Sequence, residues 1–65
     1  MKKYKLSDNL ATVAKSIKKD FENDPIIKFL CNSAMRSRDE LNQQITVGMI
    51  HAHILQKYNF EIWDK

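Results

Sequence analysis

Apolar side chains recur at spacings of three and four along most of this chain, the pattern of helices that each bury one side. Leu6, Leu10, Val13, Ala14, Ile17 and Phe21 share one face of a first helix over residues 7–22, with Lys15, Lys18, Lys19 and Glu22 opposite. Ser7 and Asp8 suit its N-cap, because their side-chain oxygens accept the free N–H groups of a first turn. Asn23-Asp24-Pro25 ends this helix, since the residue before proline is pushed out of the α region. The same residues open a second helix over 25–36, with Asp24 as cap and Pro25 at the first helical position, where no N–H is missed. Ile26, Ile27, Leu30 and Ala34 form its buried stripe, widened by Phe29, Cys31 and Met35. Ser37-Arg38-Asp39-Glu40 then matches a capping box and predicts a third helix over 38–58. Without that cap, the second and third helices would merge into one rod from Pro25 to Tyr58.

The third helix carries the most information. From Leu41 to Gln56 it has no formally charged residue, and at roughly 100° per residue it shows two apolar stripes. Leu41, Ile45, Gly48, Met49, Ala52 and Leu55 make one; Val47, Ile50, Ile54 and Tyr58 make another, nearly opposite. Asn42, Thr46 and His53 form one polar seam between them, Gln44 and His51 the other. A helix apolar on two sides requires cover on two sides. Gly48 and Ala52 predict close approach of a neighbouring helix, offsetting the roughly 1 kcal/mol that glycine costs in a helix. Two other helices leave the second stripe short of cover, so Val47, Ile50, Ile54, Tyr58, Phe60 and Trp63 are the expected protein interface. Tyr58 and Trp63 are also residue types that concentrate binding energy. The tails, around Tyr4 and Leu6 and around Tyr58 to Ile62, alternate apolar and polar positions. They predict short extended segments that pair as a ribbon or fold back to cap the bundle with their rings.

Composition narrows the class. Sixty-five residues make one domain, residues 1–65, whose core is small for its surface. One glycine and one proline leave too few turns for an all-β fold. A single cysteine, Cys31, permits no internal disulfide and suits a reducing compartment, so a cytoplasmic location is expected. No run of apolar residues is long enough to span a bilayer. The start Met1-Lys2-Lys3-Tyr4-Lys5 is basic, but Asp8, Asn9, Lys15 and Lys18 occupy the place of an apolar signal core, so no signal peptide is expected.

The net charge of +3 is uneven: residues 1–19 sum to +5, residues 20–40 to −2, and the remainder to zero. Lys2, Lys3, Lys5, Lys15, Lys18 and Lys19 supply the basic part. With Arg36, Arg38 and Asn42 near the start of the third helix, they make nucleic acid the alternative partner, in a helix-turn-helix-like arrangement. Against it stand Asp39 and Glu40 in the same turn, and nine lysines to two arginines, since base readout leans on arginine.

Catalytic and metal chemistry finds little support. One glycine excludes phosphate-cradling loops. His51 and His53 lie two apart, about 200° around a helix, and cannot chelate one ion. Cys31 sits among apolar neighbours as an inert thiol. The pattern therefore predicts an all-α three-helix bundle with extended tails. It is expected to be a non-enzymatic regulatory, inhibitory or accessory protein without cofactor, acting on itself as a homodimer or on a larger protein.

Overall fold

The chain folds as α1 (Leu10–Asp20), α2 (Pro25–Arg36) and α3 (Glu40–Tyr58) in a computed structural model that describes residues 2–64; Met1 and Lys65 lie outside the described residues. The expected all-α, three-helix architecture is present, with α2 and α3 separate.

The helix ends follow local hydrogen-bond chemistry, with two departures from expectation. Asn9, not Ser7 or Asp8, caps α1: its side-chain oxygen accepts from the N–H groups of Ala11 and Thr12. Asp8 instead accepts the Lys5 N–H at 2.8 Å in a turn closed by Asp8 N–H bonding to the Lys5 carbonyl. That turn carries Leu6 off the helix and leaves it 77% exposed, so Leu6 is no core residue. At α2 the Asp24-Pro25 pair performs as expected, Asp24 accepting from the Ile26 and Ile27 N–H groups. The capping box at Ser37 does not form. Ser37 closes α2 through its N–H, and Asp39 caps α3 by accepting from the Leu41 N–H. Asn59 ends α3 in the left-handed region at φ 53°, ψ 41°, a conformation asparagine tolerates better than most residues.

One core collects Val13, Ala14 and Ile17 of α1, Ile27, Cys31 and Ala34 of α2, and Val47, Ile50 and Ile54 of α3. Tyr4 and Ile62 from the tails complete it. In α2 the buried positions recur at four and three, which turns Ile26 and Phe29 outward to solvent. The tails meet in a single parallel bridge between Tyr4 and Trp63. The Tyr4 N–H donates to the Ile62 carbonyl at 2.8 Å and the Asp64 N–H to the Tyr4 carbonyl. The Tyr4 hydroxyl also donates to Ser16 Oγ, fastening the paired tails to α1.

The two stripes of α3 take the reverse of their expected places. Val47, Ile50 and Ile54 are enclosed by the chain itself. Leu41, Ile45, Met49 and Leu55 are 63%, 55%, 52% and 42% exposed. The expected close helix packing at Gly48 and Ala52 is not made within the chain: a Cβ at Gly48 would meet nothing within 4 Å.

Candidate functional site

What turns α3 this way is polar. Near its start, Gln43 Nε2 donates to the Ala34 carbonyl at 3.1 Å, in the last turns of α2. Near its end, three side chains converge on Asp24 at the opposite end of α2. Asp24 Oδ2 accepts from the Tyr58 hydroxyl at 2.6 Å and Lys57 Nζ at 3.0 Å, and lies 3.3 Å from His53 Nε2. Both ends of an antiparallel helix pair are thereby latched, and the face between them, Val47, Ile50 and Ile54, is turned onto α1 and α2. Asp24 is buried. The Tyr58 hydroxyl above all, then Lys57, the Ile27 N–H and His53, hold its carboxyl well below the usual carboxylate range against the opposing effect of burial. The same carboxylate raises Lys57 and Tyr58.

The remaining residues of the expected interface are also engaged internally. Tyr58 bonds Asp24 and sets its ring 4.8 Å from that of Phe21. Phe60 and Trp63 are half-buried against the core. The Trp63 ring meets His51 edge-on at 6.4 Å, and its N–H donates to Glu61 Oε1. His51 Nε2 lies 2.7 Å from that same Glu61 oxygen, an ion-pair distance outside hydrogen-bonding geometry. Each histidine therefore faces its own carboxylate. Among the described residues no cluster of three or more His, Cys, Asp or Glu is placed to hold a metal. Cys31 is fully buried, and burial pushes its thiol up to about 11, partly opposed by the charge of Lys18. A thiol so placed is protonated at neutral pH and a poor nucleophile.

No protein-family model matches this chain, and no curated protein or solved structure matches it either.

Two surfaces stand out on the molecule itself. The first is the outer face of α3. Leu41, Ile45, Gly48, Ala52 and Leu55 follow one another at spacings of four, three, four and three, the register of a coiled-coil seam, with Met49 beside them. Asn42, Gln44 and Gln56 rim it, and all three are exposed and uncharged. A 320 Å³ groove opens along one flank between Leu6, Leu10, Gln44, Val47, Gly48 and Trp63. The second surface is basic: Lys15, Lys18, Lys19 and Lys28 surround a groove of 460 Å³ between α1 and α2, together with Glu22 and Met35. It gathers three of the six N-terminal lysines, while Lys2 packs over the Tyr4 ring at 5.6 Å. Arg36, Arg38 and Asn42 are exposed around the α2–α3 link.

No helix of the described residues is long and apolar enough to cross a membrane.

Proposed function

We propose that this chain is a small cytoplasmic regulatory, inhibitory or accessory protein that works by occupancy, docking the outer face of α3 against protein. One observation carries this reading: a continuous apolar seam from Leu41 to Leu55 lies in solvent on a helix without a charge between Leu41 and Gln56. Contiguous apolar surface rimmed by polar groups is the usual mark of an interface. The residue types that serve catalysis elsewhere support it by being engaged within the fold. Cys31 is buried in the core, and the two histidines face Asp24 and Glu61.

Tagged full-length protein, wild type and Ile45→Glu, is expressed in its native cells and purified for quantitative mass spectrometry. Untagged copies of this chain or a companion protein are expected to be enriched with wild type and lost with the variant, which stays folded because position 45 is solvent-facing. A companion retained equally by both would sink this reading.

The lysine-lined groove between α1 and α2 supports a second reading, contact with a nucleic-acid backbone. Duplex DNA is expected to bind weakly, with affinity falling steeply as salt rises. Tight binding at physiological salt that weakens in Lys18→Glu would favour this second reading, and replacement of Arg38 and Asn42 would then test base contact.

A further inference from the structure

We infer that the occupant of the α3 seam is a second copy of this chain, laid antiparallel with the two-fold axis beside Gly48. The inference rests on the proposal that this face is a protein contact, and adds what covers it. The seam is self-complementary in size about its own midpoint. Antiparallel pairing sets Leu41 against Leu55 of the second copy and Ile45 against Ala52, a large side chain over a small one. Gly48, with open space where a Cβ would stand, lies at the crossing and lets the two backbones approach. Parallel pairing would instead set Ile45 on Ile45 and Ala52 on Ala52, crowding one layer and leaving a void in the next, and voids are costly. Antiparallel pairing also sets the positive end of each helix dipole beside the negative end of the other.

Charge permits the match. The stretch from Leu41 to Gln56 carries no formal charge, so it brings no like charges together when it meets itself. Area sets the strength. A helix of 19 residues offers a strip about 28 Å long and about 10 Å wide. Over two copies this flat strip comes to roughly 560 Å², below the standard size of specific interfaces, so association is expected to be weak, at tens to hundreds of micromolar.

Sedimentation equilibrium of the full chain from about 10 to 300 μM spans that range. Wild type is expected to rise toward twice 7.7 kDa, and Ile45→Glu to weaken association at least tenfold while keeping its helical circular dichroism. Orientation is read by mixing Ile45→Cys with Ala52→Cys chains, both in a Cys31→Ala background, and treating them with a short thiol crosslinker. The 45–52 product is expected to exceed the 45–45 and 52–52 products several-fold. A wild type that stays monomeric to the highest concentration, or a predominance of 45–45 and 52–52 products, would overturn the inference. Loss of the companion chain in the Ile45→Glu purification would still stand in the monomeric case, as contact with a different protein. The sedimentation arm needs no change at Cys31, so it decides the matter even if the crosslinking background folds poorly.

Discussion

Asp24 Oδ1 caps α2 while Oδ2 gathers Tyr58, Lys57 and His53 from α3, so one carboxylate serves two helices. Its carboxyl is held well below the ordinary range, chiefly by the Tyr58 hydroxyl, and folding therefore favours the ionised form. The resulting stabilisation is present above the unfolded pKa of about 3.9 and is lost as pH falls below it toward the folded value. Melting temperature is expected to drop between about pH 4 and pH 2 in wild type. Asp24→Asn should melt lower at pH 7 and show a flatter acid limb; identical limbs would remove Asp24 from this role. Lys57 and Tyr58 are raised by the same contact, so their share is present below about pH 10 and lost at higher pH. Cys31 gives a second test of this kind. With its thiol pushed up to about 11, labelling by a thiol reagent at pH 7 should track global unfolding, measured against denaturant. Cys31→Ser should cost about 1–3 kcal/mol by burying a hydroxyl without a partner.

Among the helices, α2 was the most legible. Asp24 and Pro25 state its start in both chemistry and geometry, and its range matches the expected 25–36. The start of α1 was misplaced because Ser7, Asp8 and Asn9 are all competent caps. Asp8 is drawn to the Lys5 N–H, leaving Asn9 for the helix. The Ser37–Glu40 match failed for a similar reason: Asp39 stands inside the motif and is itself a good cap. Gly48 belongs here too. It sits mid-helix with nothing within 4 Å of its Cβ position, so Gly48→Ala is expected to stabilise the chain by about 1 kcal/mol. Denaturant unfolding in dilute solution, below the association range, is the measurement. A destabilising result would mean that some part of the chain packs on Gly48 after all.

For the molecule as a whole, the contrast between the sides of α3 is the sharpest test. Ile50 is fully enclosed and Ile45 is not, so Ile50→Glu should unfold the protein by desolvating a charge, whereas Ile45→Glu should leave circular dichroism unchanged. Ile62 extends the same logic to the tails. It is fully buried, and its carbonyl accepts the Tyr4 N–H. Ile62→Ala should therefore cost about 2–5 kcal/mol in denaturant unfolding, as for other enclosed aliphatic side chains. A loss within error would mean that the tail merely rests on the bundle.

The order of apolar and polar residues was enough to dictate three helices, their rough limits and the uncharged run from Leu41 to Gln56, because periodicity and caps are local properties of the chain. It also marked α3 as a helix with two greasy sides. Which side turned inward was not encoded locally, since Val47, Ile50 and Ile54 on one side and Leu41, Ile45 and Leu55 on the other are similarly large aliphatic side chains. Long-range polar contacts made that choice, Gln43 to Ala34 and Tyr58, Lys57 and His53 to Asp24, between partners that no spacing in the sequence relates.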